Sequence, residues 1–166
     1  MKLIRVITLL IFVFSLYVAA SAQTSVKAQN FTAATMDGKT VELAKLKGKV
    51  VVLVFWSSRC GICHSEIPKL NEIAENHAGR VTFLAATMEN ETSVKAYLRR
   101  QRFDFQILPD SFGLLLKYAD RDGDFVNISF PAYFLIDRAG YIRYKGSGWD
   151  GTAALATAID KTLASR

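Results

Sequence analysis

The sequence predicts an α/β domain in which a mixed central sheet carries helices on both faces and follows an N-terminal β-hairpin. One observation is an unbroken β-branched and aromatic run at 50–56, which is typical of a strand buried on both faces. Another is that apolar runs alternate with segments of helical spacing, which indicates parallel crossovers. Finally, a short turn at 137–140 separates the last two strand runs and indicates an antiparallel hairpin before the final helix.

In the first half of the domain, each element has its own local signal. The turn Met36-Asp37-Gly38-Lys39 predicts a hairpin of two short strands at 31–35 and 40–43. The buried run that follows leads into a helix whose apolar residues recur at helical spacing. This helix runs to about His77 and contains Pro68, where we expect a kink.

The second half follows from apolar runs, turn residues and helix caps. In chain order it contains a strand at 81–87, a helix at 91–102, a short strand at 103–108, a helix capped by Asp110-Ser111 and ending at 118, a polar loop at 120–129, strands at 132–136 and 141–145, and a helix at 150–164. The aspartates of the polar loop lack the glycine and glutamate positions of an EF-hand, so we interpret it as a solvated loop. Together these elements predict a thioredoxin fold.

Residues 1–22 have the pattern of a secretory signal peptide. Two basic residues precede an apolar run at 6–20, and small residues at 20–22 form a cleavage pattern. The run is shorter than the ~20 residues that span a bilayer comfortably, so cleavage is favoured over an uncleaved membrane anchor. We therefore expect a mature domain at 23–166, exported across the inner membrane and located in the periplasm.

The composition is that of a globular chain. A length of 166 residues suits one domain with its own core, and no repeat or low-complexity tract interrupts it. The formal net charge is +6, but the basic residues are spread along the sequence without interleaved aromatic residues. Nucleic-acid binding is therefore not predicted.

Cys60 and Cys63 form a C-x-x-C pair where the buried strand passes into the helix. At an exposed helix N-terminus, backbone N–H groups and the helix dipole stabilise a thiolate at Cys60 and lower its pKa below about 8.5. Cys63 lies one helical turn later, on the apolar side, and can resolve a mixed disulfide. Because these are the only two cysteines, an active pair is favoured over a structural disulfide.

Two other interpretations of the pair remain open. Half of a zinc site would need further ligands, and the only histidines are His64 and His77. The run from Cys60 to His64 also matches the c-type haem attachment signature C-x-x-C-H. Against haem, the pair follows a buried strand, and Met36 and Met88 are the only evident distal ligands. We predict no metal and no other cofactor.

The segment 55–68 (FWSSRCGICHSEIP) resembles the active-site segment of the TlpA/ResA-type extracytoplasmic thioredoxin-like proteins, F-W-x-x-W-C-x-P-C-x-x-E-x-P. Residues 37–39 and 46–50 resemble the N-terminal hairpin of that family. Residues 130–137 (FPAYFLID) resemble its P-T-x-F-L-I-D segment. The similarity covers nearly the whole mature chain, and it implies a thioredoxin-like fold and thiol–disulfide chemistry.

The resemblance also implies roles for individual residues. Cys60 would be the attacking thiol and Cys63 the resolving one. Pro131 would be a cis-proline facing the cysteines, although its position alone is typical of a trans proline that opens a strand. Glu66 matches an acidic residue that handles the proton of Cys63. The alternative for Glu66 is a first-turn glutamate stabilised by the helix dipole.

Departures from the family pattern fall at the predicted docking surface. Ile62 replaces the proline between the cysteines, Arg59 replaces a tryptophan, and Phe130 replaces a smaller residue before the proline. Arg59 should lower the pKa of Cys60 further, and a protonated His64 would add positive charge near Cys63. The residues expected to contact a substrate protein are Trp56, Arg59, Gly61, Ile62 and Phe130.

We therefore predict an extracytoplasmic thiol–disulfide oxidoreductase that reduces protein disulfides. The resemblance implies a membrane-embedded thiol-reducing protein as its electron donor and apocytochrome c thiols, in cytochrome c maturation, as its clients. A disulfide donor or isomerase, a thiol peroxidase on the same fold, and a binding module with an inert disulfide are the alternatives. The sequence predicts neither the oligomeric state nor the reduction potential.

Overall fold

The structure, a computed structural model, describes residues 26–165. Its elements are β1 (Thr32–Ala34), β2 (Thr40–Glu42), a 3-10 helix (Leu43–Leu46), β3 (Val50–Phe55), α1 (Gly61–Asn76), β4 (Val81–Ala86), α2 (Glu91–Leu98), β5 (Gln106–Leu108), α3 (Phe112–Tyr118), β6 (Asp120–Asp122), β7 (Phe125–Asn127), β8 (Ala132–Ile136), β9 (Ile142–Ser147) and α4 (Gly151–Ala164). The predicted signal peptide at 1–22 lies outside the described residues. Within 26–165, none of the helices combines the length and apolar character needed to span a bilayer.

In the described part of the chain, the central sheet has the strand order β5-β4-β3-β8-β9. β4 is parallel to both β3 and β5, whereas β8 is antiparallel to both β3 and β9. β1 and β2 form a separate antiparallel hairpin. The predicted fold class, a thioredoxin-like mixed sheet with an N-terminal hairpin, is confirmed.

β3 is the central strand and lies between two hydrophobic layers. Its side chains alternate between the two faces of the sheet. Val52 and Val54 pack with α1 and α4 on one face. Leu53 and Phe55 pack with α3 and the N-terminal hairpin on the other. Burial on both faces explains why the unbroken apolar run predicted this strand correctly.

Some element ends differ from the prediction. α2 ends at Leu98 and not near 102, because the N–H groups of Arg100 and Gln101 both turn back to the Tyr97 carbonyl, at 2.9 and 3.1 Å. β5 begins only at Gln106, since the aromatic residues before it are buried by packing without strand pairing. α1, in contrast, runs as one helix through Pro68 to Asn76 and ends where the sequence predicted.

The segment 120–129 was predicted as a loop, but it contains the hairpin β6–β7. Gly123 has a φ of +58°, so it forms the left-handed turn between the two strands. Every residue of the two strands is exposed. The polar composition therefore predicted exposure correctly but did not indicate the strand pairing.

Candidate active site

Cys60 is the N-cap residue of α1, and Cys63 lies in the first turn of that helix. The two residues are joined by a disulfide, with their Cα atoms 5.2 Å apart. The Cys60 sulfur accepts a hydrogen bond from the Cys63 N–H at 3.1 Å. When the disulfide is reduced, this N–H and the positive end of the helix dipole stabilise a thiolate at Cys60.

The two cysteines differ in accessibility. Cys63 is 1% exposed and packs in the core beneath the helix. Cys60 is only partly covered, as is Ile62, while Arg59 and Gly61 are exposed. A partner that approaches this end of the sheet therefore meets Cys60 first, with the side chains of Arg59 and Ile62 beside it.

Trp56 lies beneath this surface. Its side chain is 1% exposed, and its ring centroid is 5.1 Å from that of Tyr97 and 5.3 Å from that of Phe103. Because a buried ring cannot contact a docked protein, Trp56 does not belong to the substrate-contacting set in which the sequence places it. It supports the turn that precedes Cys60.

Glu89, which the sequence patterns did not single out, fixes the backbone before the cysteines. Its carboxylate accepts hydrogen bonds from the Ser57 hydroxyl at 2.8 Å and from the Ser58 N–H at 3.1 Å. A usable signal was present, because the carboxyl ends of adjacent parallel strands meet at one edge of a sheet. Glu89 follows β4 just as Ser57 and Ser58 follow β3.

Two further contacts anchor the start of α1. The His64 ring places its Nε2 2.8 Å from the Ser58 carbonyl oxygen and stacks at 5.2 Å on Tyr97. The Gln101 amide donates to the His64 carbonyl at 2.9 Å. The helix N-terminus that carries Cys60 is therefore attached to the segment after β3 and to the segment after α2.

Glu66 is fully buried, with 0% of its surface exposed. It accepts hydrogen bonds from the Lys69 ammonium and the Thr152 hydroxyl, both at 2.8 Å. Burial alone would raise the pKa of Glu66, but the hydrogen bonds from Lys69 and Thr152 and the Lys69 charge outweigh it and lower that pKa. Glu66 lies beyond the first turn of α1, so the predicted alternative of a first-turn glutamate is wrong.

The Phe130–Pro131 peptide bond is cis, as the family resemblance implies. Pro131 directly precedes β8, whose Ala132 pairs with Phe55 at the end of β3. This pairing places the cis-proline at the same end of the sheet as the cysteines. Phe130 is partly exposed and packs against both core layers.

The geometry does not favour the haem or zinc interpretation. Haem attachment through C-x-x-C-H uses both cysteine sulfurs, and Cys63 is buried in the core. His64 and His77 lie at opposite ends of α1, so they cannot complete one zinc site with the cysteines. Among residues 26–165, no three histidine, cysteine or acidic side chains are grouped in a way that could hold a metal ion.

Comparisons with known proteins agree with this chemistry. A family model described as Redoxin matches residues 23–160. The chain is 31% identical to thiol-disulfide oxidoreductase ResA of Bacillus cereus strain ZK, over 84% of each protein. It is 30% identical to ResA of Bacillus thuringiensis subsp. konkukian, over 70% of this chain but only 65% of that relative's length. A solved thiol:disulfide interchange protein from Chlorobium tepidum superposes with a TM-score of 0.72 at 26% identity, over 87% of this chain and 99% of that one.

Proposed function

The chain belongs to the Redoxin family and, within it, to the ResA/TlpA-type thioredoxin-like proteins, and on this premise we propose that it is a thiol–disulfide oxidoreductase that reduces disulfides of other proteins. The family identified from the active-site segment is confirmed. One observation carries the proposal. Cys60 is the partly exposed N-cap residue of α1, whereas Cys63 lies one turn later in that helix and is buried.

In the proposed reaction, the Cys60 thiolate attacks one sulfur of a substrate disulfide. A mixed disulfide forms, and the other substrate sulfur leaves as a thiolate and takes up a proton. The Cys63 thiol then attacks the Cys60 sulfur, and the second substrate sulfur leaves as a thiolate and takes up the proton that Cys63 loses. Two electrons pass from the pair to the substrate, and the Cys60–Cys63 disulfide is the oxidised product.

Glu66 is proposed to control the proton of Cys63. Residues three apart lie on the same face of a helix, so the buried carboxylate of Glu66 is a neighbour of the Cys63 side chain. A nearby negative charge raises the pKa of a thiol, which keeps Cys63 protonated while Cys60 is the thiolate. Lys69 and Thr152 hold the carboxylate in place.

The proposed site of action is outside the cytoplasm, with residues 23–166 as the active domain. The signal-like pattern at 1–22 supports export, and a membrane-anchored form is the alternative if that segment is retained.

The proposed partners are an electron donor and a set of clients. An oxidised cysteine pair in an oxidising compartment needs an electron source, and we propose that a membrane-embedded thiol-reducing protein supplies the electrons. Membership of the ResA-type proteins supports apocytochrome c thiols as clients.

The test is to trap the intermediate. Cys63→Ser leaves Cys60 able to attack but removes the resolving thiol, so a mixed disulfide with a client protein or a disulfide-bonded peptide should accumulate. Cys60→Ser is the matched control and should form no adduct, because its remaining thiol is buried. Adducts through Cys63 in the control, or none in the Cys63→Ser variant, would refute this division of roles.

A further inference from the structure

A set of exposed basic side chains lies at the end of the sheet opposite the disulfide. We call this end of the sheet, with those side chains, the basic end. β3 and β4 begin at this end, where Val50 pairs with Val81, and β8 finishes at it, where Ile136 pairs with Val51. The disulfide lies at the other end of the sheet, shortly after the last residue of β3. The members of the basic end are Lys27, Lys47, Lys49, Arg138 and Lys161.

These residues come from four separate stretches of the sequence, but the fold brings them together around two adjoining grooves. Both grooves are lined by Asp137 and Ala139. Arg138 and Lys161 line the groove between the β8–β9 turn and α4. The three lysines at 27, 47 and 49 line the groove beside the 3-10 helix. The fold therefore gathers at one end of the sheet basic residues that are spread along the sequence.

Asp137 and Glu42 on this side are already paired with basic residues outside the set, whereas Asp160 lies beside the His77 ring and Glu75 is exposed. Asp137 accepts a hydrogen bond from Arg143 at 2.6 Å and others from backbone N–H groups. Glu42 pairs with Lys45 at 2.7 Å, and Asp160 lies 3.1 Å from the His77 ring. Within residues 26–165, no acidic group lies within ion-pair distance of the five basic-end side chains. Their positive charge is therefore directed to solvent.

The N-terminal segment enters the described fold at the same end. The Val26 carbonyl accepts a hydrogen bond from the Ile142 N–H at 2.8 Å, and Lys27 forms a β-bridge with Tyr141. The sequence before Val26 contains the apolar run at 6–20. The part of the chain that follows this run therefore joins the domain beside its unpaired positive charges.

We propose that the basic end docks on a bilayer surface rich in anionic phospholipids, with the disulfide directed away from it. Anionic headgroups attract basic residues close to the surface, and each such residue strengthens binding about fivefold. In this orientation the cysteines face the aqueous phase, where they can react with client proteins. The inference is independent of the redox chemistry, because it rests only on surface charge and on the entry point of the chain.

The test uses the mature form, residues 23–166, so that the apolar run at 6–20 cannot bind vesicles by itself. Binding is measured by co-sedimentation with phosphatidylcholine vesicles and with vesicles that also contain phosphatidylglycerol. The triple variant Lys47→Gln, Lys49→Gln, Lys161→Gln removes charges whose side chains make no hydrogen bond within the described residues. The matched control, Arg99→Gln, Arg100→Gln, Arg121→Gln, makes the same change in net charge away from the basic end.

We expect preferential, salt-sensitive binding to the phosphatidylglycerol vesicles. The basic-end triple variant should lose roughly a hundredfold in affinity, and the control should lose less than about threefold. In the bound, reduced protein, Cys60 should remain reactive towards a membrane-impermeant alkylating reagent. Equal binding to both vesicle types, equal loss in the two triple variants, or protection of Cys60 on the vesicles would each overturn the proposal.

Discussion

The two ends of the central sheet are built in different ways. At the disulfide end, side chains are fixed by partners distant in sequence, such as Glu89 on Ser57 and Thr152 on Glu66. At the basic end, exposed cations such as Lys47 and Lys49 have no partner within residues 26–165 and project into solvent. Thiol chemistry requires an exact position for each group, whereas attraction to a charged surface requires only the charge. Substitutions should therefore affect chemistry and folding at one end, and surface binding at the other.

The largest contrast is expected between Cys60→Ser and the basic-end triple variant. Cys60→Ser should abolish reduction of a soluble protein disulfide, because no thiolate remains to attack. The variant Lys47→Gln, Lys49→Gln, Lys161→Gln should keep the wild-type rate, since its changes lie at the far end of the sheet. The measurement is insulin reduction with dithiothreitol as the electron source. A triple variant that loses most of its rate would show that the two ends are not independent.

The next effect concerns the support of Glu66. Thr152→Val removes the hydroxyl that donates to the buried carboxylate, and we expect a loss of about 1.5–3 kcal/mol in the free energy of unfolding, as for a hydrogen bond to a charged group. Thr157→Val, on the exposed side of the same helix, is the control and should change stability by less than about 0.5 kcal/mol. Urea unfolding measures both. Equal losses would mean that the cost comes from the helix and not from Glu66.

Glu89→Gln should loosen the segment before the cysteines. The carboxylate now accepts two charge-assisted hydrogen bonds, and such bonds are roughly twice as strong as neutral ones. A loss of about 1 kcal/mol corresponds to roughly fivefold faster hydrogen exchange at the Ser58 N–H. Glu91→Gln, which removes only a surface ion pair with Lys95, should leave that rate unchanged. An unchanged Ser58 rate in Glu89→Gln would argue against the positioning role.

The smallest effect is a pH dependence. Folding lowers the pKa of Glu66, so its contribution to stability is present above the unfolded pKa of about 4.3 and is lost as the pH falls through the folded pKa. The gap in unfolding free energy between the wild type and Glu66→Gln should therefore be larger at neutral pH than in acid. Urea unfolding at several pH values measures this gap. A gap that does not narrow in acid would contradict a charged, stabilising Glu66.

The sequence predicted those parts of the molecule whose signals are local. The apolar run of β3, the N-terminal hairpin and the position of Cys60 at a helix start all follow from neighbouring residues. The cis-proline required the family resemblance, because the position of Pro131 alone is typical of a trans proline that opens a strand.

The missed features depend on tertiary contacts. Glu89 acts on residues that lie about thirty positions earlier, and the partners of Glu66 include Thr152 on the last helix. Trp56 belongs to a motif typical of active sites, yet packing on Tyr97 and Phe103 buries it. The clustering of charge at the basic end follows from the tertiary fold, since its members come from four separate stretches of the chain.

The most direct test of the proposed reductase is the reduction potential of the Cys60–Cys63 pair. The protein is equilibrated in dithiothreitol or glutathione redox buffers, and the free thiols are counted after alkylation. For a reductase we expect a potential near or below that of thioredoxin, about −270 mV. A value near the strongly oxidising end, about −120 mV, would contradict this expectation and would make the protein a disulfide donor.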